Sequence, residues 1–241
     1  MPPDILDNPI WHALTTSQAK FALGGDRARR FPRQVAPFVA VPSESTSDAE
    51  LAQLTEQGES VCLVGVAPRL SSWKVEKQSA ILQMLCGQML CGQMLCEQMI
   101  CSSRSEPDAS AGISQLSEAD LGAILGLTAL VYPAYFRART VELGDYFGIY
   151  QDGRLAAMAG ERLHPNGYQE ISAVCTHPDF QGRGYAGRLV AHLANRILER
   201  GETPFLHVDA GNTRATSVYE RLGFKARRSI PLWVIRRPAI A

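Results

Sequence analysis

The chain has 241 residues, enough for one large domain or two small ones with a buried core. Lys plus Arg and Asp plus Glu each number 24, a formal net charge of +0, which argues against a partner held by bulk electrostatics, such as duplex nucleic acid or an anionic membrane. No apolar run approaches a membrane span, and Met-Pro-Pro-Asp-Ile-Leu-Asp lacks the basic and apolar regions of a signal peptide, so a soluble cytoplasmic protein is expected.

Residues 1–101 are expected to form a small N-terminal α/β domain. Val35-Ala-Pro-Phe-Val-Ala-Val and Ser60-Val-Cys-Leu-Val-Gly read as short strands, and Asp48–Gln57 as a helix. No catalytic constellation is visible in this half. It could be a degenerate partner domain that covers one wall of an acceptor site. Its end carries a repeat: Gln83-Met-Leu-Cys-Gly, Gln88-Met-Leu-Cys-Gly, Gln93-Met-Leu-Cys-Glu and Gln98-Met-Ile-Cys-Ser. A period of five rotates each copy by about 140° around a helix and flips it to the opposite face in a strand. Neither geometry keeps the copies on one side. The repeat reads instead as a short coding duplication that expanded one apolar strand or helix end, Ile81-Leu-Gln-Met-Leu-Cys.

The repeat also sets the cysteine spacing. Cys86, Cys91, Cys96 and Cys101 recur every five residues, which is not the paired spacing of a zinc site, so no metal is expected. Cys62 and Cys175 sit in apolar runs, and without a secretory signal a disulfide framework is not expected. Residues 102–112, polar and broken by proline, read as a linker to a second domain at 113–241.

That second half is more legible. Ser117 N-caps a helix that continues to Leu130. Tyr146-Phe-Gly-Ile-Tyr is a strand, Gln151-Asp-Gly-Arg a hairpin turn and Leu155–Leu163 the return strand. Pro165-Asn-Gly turns the chain into a strand carrying Glu170. A glycine-rich turn and a helix to about Arg200 follow, closed by Gly201. Pro204-Phe-Leu-His-Val is a strand, Thr213–Leu222 a helix and Leu232-Trp-Val-Ile a last strand. This order gives an α/β (α+β) fold with a mixed, mostly antiparallel sheet flanked by helices.

The glycine-rich turn carries the chemistry. Gln181-Gly182-Arg183-Gly184-Tyr185-Ala186 fits Q/R-x-x-G-x-G/A between a strand and a helix. Small residues let the backbone approach a ligand, and the N–H groups and dipole of the following helix favour an anion such as a pyrophosphate. The next strand and helix carry Asn212, Ala215, Tyr219 and Gly223-Phe224 as N-x2-A-x3-Y-x3-G-F.

With both blocks at suitable separation, residues 113–236 resemble the GNAT superfamily of acyl-CoA-dependent N-acyltransferases, closest to the branch related to glycine N-acyltransferase. The resemblance implies acetyl-CoA as cosubstrate. Backbone N–H groups from Gln181 through Ala186 would bind the CoA pyrophosphate, with the Gly187 end of the helix adding its dipole. The backbone of Val174, Cys175 and Thr176 would hydrogen-bond the pantetheine arm, and an N–H near Val174 would meet the oxyanion. Asn212 would steady the cofactor arm, and Tyr219 would protonate the departing thiolate. Glu170 occupies the position of the catalytic glutamate in histone-type relatives and is expected to act as base, through water.

Plainer readings stand beside these. Tyr219 could be a core aromatic, Glu170 a solvated strand-end charge and Cys175 an inert buried thiol. His177 could be a base or could shape the His-Pro-Asp turn. Arg183 and Arg188 could meet CoA phosphates or could be solvated. The expected activity is direct transfer of an acetyl or short acyl group to the primary amine of a small molecule or amino acid. Transfer to a protein lysine or N-terminus, and non-catalytic acyl-CoA binding, are the alternatives. Val131-Tyr-Pro-Ala-Tyr-Phe-Arg and the tail after Phe224 are the expected specificity segments. A homodimer stays open.

Overall fold

The computed structural model describes residues 4–87, 112–131, 133 and 135–239. In the first half, α1 (Pro9–Thr15) precedes three two-residue strands, β1 (Leu23–Gly24), β2 (Arg29–Arg30) and β3 (Val39–Ala40), which pair as a small antiparallel sheet. Then come α2 (Asp48–Leu54), β4 (Ser60–Val64) and β5 (Lys74–Leu85). The second half holds β6 (Ile113–Gln115), α3 (Leu121–Val131), β7 (Tyr146–Gln151), β8 (Arg154–Glu161) and β9 (Tyr168–Thr176). It ends with α4 (Tyr185–Glu199), β10 (Thr203–Asp209), α5 (Thr213–Arg221) and β11 (Lys225–Arg236). Among the described residues no helix is long and apolar enough to cross a membrane.

Eight strands form one sheet in the order β4-β11-β5-β10-β9-β8-β7-β6, in which only β9 and β10 run parallel. One sheet thus takes strands from both sides of residues 102–112. β10 and β11 do not pair with each other; β5, from the first half, lies between them and completes both ladders. Its register sets Phe205 opposite Leu85 and Asp209 opposite Ile81 on one side, and Lys225 through Arg236 on the other. The first copy of the five-residue repeat is the end of this strand, with Met84 and Cys86 fully buried. The remaining copies lie outside the described residues.

Local signals account for most of the second half. Ser117 and Asp120 form a capping box; the first turn, Glu118–Asp120, is a 3-10 turn that leads into α3. Asp152 and Gly153 both have positive φ, 50° and 73°, as a two-residue hairpin turn requires. At the end of α4, Gly201 takes φ 76°, its N–H reaches Leu198 O and that of Glu202 reaches Ile197 O. This Schellman pair stops the helix where the glycine stands. β8 is a near-continuous apolar run buried on both faces. Leu189, Val190, Leu193 and Ile197 of α4 pack with Phe147, Ile149, Ala157 and Leu206 on one side. Ile124 and Leu127 of α3 pack with Tyr146, Leu155 and Met158 on the other. The first half contributes Leu6, Ile10, Phe31, Val35 and Phe38, which bury Leu163, Phe205 and Ile230.

Candidate active site

Two features of the sheet frame the site. The first is a parting of strands. The β9–β10 ladder runs from Tyr168/Thr203 to Ile171/Leu206 and stops. Beyond it β10 stays with β5, while β9 stays with β8 through a bulge between Met158 and Gly160. Ala173, at the bulge, has φ +52°, a conformation an alanine rarely takes outside such a local distortion. Val174, Cys175 and Thr176 thus lie on the arm that diverges from His207, Val208 and Asp209.

The second feature is the turn that follows. Gly182 and Gly184 take φ of +79° and +76°, and no atom lies within 4 Å of where a Cβ would stand on either. Gly184 is the N-cap of α4 and supplies no side-chain cap. The Gln181 N–H, expected to join the cradle, is spent on Pro178 O at 3.4 Å, whereas those of Gly182, Arg183, Gly184, Tyr185, Ala186 and Gly187 have no acceptor among the described residues. Six donors without acceptors at the start of a 15-residue helix suit an anion such as a pyrophosphate. The turn is braced from below. His177 Nδ1 accepts from Asp179 N at 3.2 Å, Arg154 reaches Asp179 at 3.1 Å, and Arg154 and Arg183 stack on Phe180. His177 therefore shapes the turn.

The helix after the parted strands is α5. Asn212 is its N-cap, with Oδ1 accepting from Ala215 N at 3.1 Å. Tyr219 lies two turns further on, 8% exposed, with its ring 6.2 Å from Phe224. Cys175 is buried and its thiol is pushed up to about 12 by burial, which keeps it protonated and unsuited to nucleophilic attack. Cys62, Cys86 and Cys175 are all buried, and the described residues hold no group of three metal-ligating side chains. Cys91, Cys96 and Cys101 lie outside the described residues.

Glu170 departs from its expected role as base. It is fully buried, and Arg162 grips it with two hydrogen bonds, Nη2 to Oε1 at 2.6 Å and Nε to Oε2 at 2.9 Å. His207 Nδ1 lies 2.7 Å from Oε1, and Leu163 N donates to Oε2 at 3.2 Å. Burial would push the carboxyl up, but the Arg162 charge and these hydrogen bonds hold it at about 2. A carboxylate so stabilised is a weak base, and its contacts fix Arg162, His207 and the Leu163 N–H around it.

The residue that sequence reasoning missed is His207. It is the first residue of β10 past the last pair with β9, and its side chain is 5% exposed. Gln83 of β5 lies on its other side, Nε2 to Nε2 at 3.0 Å. Arg227 Nη1 donates to Gln83 Oε1 at 2.7 Å, which fixes the amide so that its NH2 faces His207 and Leu6 O. With the amide so placed, His207 Nε2 accepts from Gln83 and Nδ1–H donates to Glu170. The available signal was a lone histidine between Leu206 and Val208 in an otherwise apolar strand.

The FR47-like protein family model matches residues 146–234. A GNAT-family protein from Novosphingobium aromaticivorans is 32% identical, with 98% of this chain and 100% of that chain covered and a TM-score of 0.85. Mycothiol acetyltransferase of Mycolicibacterium vanbaalenii is 37% identical over 79 residues, 30% of this chain and 26% of that protein. The [ribosomal protein bS18]-alanine N-acetyltransferase of Escherichia coli is 33% identical over 79 residues, 32% of this chain and 53% of that enzyme. The chain thus spans between about a quarter and a half of the curated relatives it matches. Parted strands, a glycine cradle and full-length similarity to one solved member converge: the chain belongs to the GNAT family of acetyltransferases.

Proposed function

We propose that this chain moves an acetyl group from acetyl-CoA to the primary amine of a small molecule or amino acid by direct transfer. The observation that carries the reading is the pairing of the parted β9–β10 edge with the six unpartnered N–H groups at Gly182–Gly187. Bound there, acetyl-CoA supplies the thioester. The amine nitrogen attacks its carbonyl carbon, the C–N bond forms, and the C–S bond breaks.

The chain's own residues handle the rest. Tyr219 donates its hydroxyl proton to the leaving thiolate, with Asn212 at the other end of the same helix steadying the arm. The proton lost by the amine goes to His207. Glu170 holds the Nδ1–H of that imidazole, and Nε2, released by Gln83, is the accepting atom. Replacing His207 with Gln then flattens the acidic limb of the kcat/KM pH profile; an unchanged profile returns the base role to water. Kinship with the glycine N-acyltransferase branch belongs to the same proposal and rests on the sequence resemblance alone.

A second reading places the amine at a peptide N-terminus, which the similarity to the bS18-alanine enzyme favours. Calorimetric titration with acetyl-CoA, with dephospho-CoA for comparison, tests the cradle first. Micromolar binding followed by amine-dependent CoA release supports transfer; binding without release to any small amine or peptide leaves a non-catalytic module. No binding overturns the proposal.

A further inference from the structure

Away from the cradle, a cavity of about 350 Å³ opens between the two halves of the chain, lined by Arg30, Arg33, Pro37, Glu59, Ser60 and Arg137. Three arginines face a single glutamate there. Arg30, 3% exposed, is spent on Glu59 through bonds of 3.1 and 2.8 Å. Arg33 is shared between Glu59, at 2.9 Å, and the largely exposed Glu56. Arg137 has no ion pair among the described residues, and its buried Nε has no hydrogen-bond partner.

The position of Arg137 is fixed by its backbone. Its N–H donates to Thr140 Oγ1 at 2.8 Å, and that hydroxyl donates to the buried Val35 carbonyl at 2.7 Å. Arg139 N reaches Gln34 O at 2.9 Å. The segment after α3 is thereby clamped onto the first half with a cation held at the cavity wall.

The cavity also adjoins the parted strands. Its wall residue Pro37 precedes Phe38, whose ring carries the Arg162 guanidinium at 4.9 Å, and Arg162 grips Glu170. Cys62, bridged to Phe38, lies in the fields of both Arg162 and Arg137. The cavity wall is thus linked, through Phe38 and Arg162, to the Glu170–His207 pair at the parted strands.

We infer that this cavity binds a carboxylate of the acceptor through Arg137, so that the amine substrate is an acidic one, an amino acid or short peptide with a free carboxylate. The inference rests on the acetyl-transfer reading and deepens it. One uncompensated guanidinium matches a single negative charge and offers a planar fork for bidentate pairing; a phosphate, with close to two charges, would leave the cavity net negative.

The test uses the full-length protein and two readouts. Glutarate is titrated calorimetrically into wild type, Arg137→Gln and Arg137→Lys, with glutaramide and inorganic phosphate as comparisons. Amine acceptors are then assayed in pairs, each carboxylate beside its carboxamide. Glutarate should bind wild type, bind Arg137→Gln at least about tenfold more weakly and be partly restored in Arg137→Lys, while glutaramide does not bind. For carboxylate acceptors, Arg137→Gln should raise KM about tenfold with kcat nearly unchanged, and carboxamide KM should not move. Glutarate affinity indifferent to Arg137, tighter binding of phosphate than of glutarate, or equal KM changes for both members of a pair would each overturn the inference. Failure of acetyl-CoA to bind would instead strike the acetyl-transfer reading, with the glutarate titration still deciding the cavity.

Discussion

Replacing Glu170 with Gln keeps the shape of the side chain and removes its charge, so it isolates what the buried carboxylate does. Burial raises the carboxyl pKa and the Arg162 and His207 contacts lower it, for a net fall from 4.5 to about 2. Because the group is fully buried, a fall of that size corresponds to about 3 kcal/mol of linked stability. The folded pKa lies below the unfolded one. The contribution is therefore fully present above about pH 4.5 and is lost as pH falls through about 2. Other depressed carboxyls, those of Asp48 and Glu59 among them, titrate in the same range, so the diagnostic quantity is the difference between wild type and Glu170→Gln. Urea unfolding of both proteins measures it. Their stability difference should shrink by about 2 kcal/mol between about pH 6 and pH 3. A difference that stays constant across that interval would mean the carboxyl is not held ionised, and the reassignment of the base role would lose its physical ground. Arg162→Met gives the converse, since it strands a buried carboxylate; it should cost about 3–5 kcal/mol near neutral pH, with part recovered in the Glu170→Gln/Arg162→Met double variant.

Tyr219→Phe removes only the hydroxyl while the ring stays against Phe224, so kcat should fall at least about tenfold with acetyl-CoA affinity nearly unchanged in steady-state and titration assays. Unchanged turnover would move the acid role to water or another residue. Gly184→Ala places a Cβ at φ +76° where the protein itself offers no clash. Denaturant unfolding should then show a loss of only about 1–2 kcal/mol from backbone strain, while calorimetry shows acetyl-CoA affinity reduced by at least about tenfold. Equal affinity would mean that no ligand approaches this turn. Deleting residues 87–96 removes two periods of the repeat after the end of β5, and should leave the thermal midpoint and acetyl-CoA affinity unchanged; a large fall in either would defeat the view of the repeat as an expansion.

What could be read from the sequence was local. The hairpin at Asp152-Gly153, the stop at Gly201 and the cradle at Gly182–Gly184 are each written in residues that adjoin the backbone they control. Of β5 only the apolar end from Ile81 was legible, as a strand or helix end, because its first half, Lys74-Val-Glu-Lys-Gln-Ser, is polar and largely exposed and its partners in β10 and β11 are more than a hundred residues away. Its alignment is fixed only by the two ladders it completes. The same long-range pairing decides the chemistry at Glu170. Read alone, a strand glutamate eleven residues before Gln181 suits a base. The register of β10 on β9 brings His207 to it, the turn from β8 brings Arg162, and the register of β5 on β10 sets Gln83 opposite His207. Gln83 is in turn held by Arg227, which also binds Asp7 and Asp4 near the N-terminus. A chain of polar contacts thus runs from the first residues described to the point where β9 and β10 part. The first half supplies the strand that joins β10 to β11, the amide that faces His207 and the wall against which the Arg137 segment is clamped.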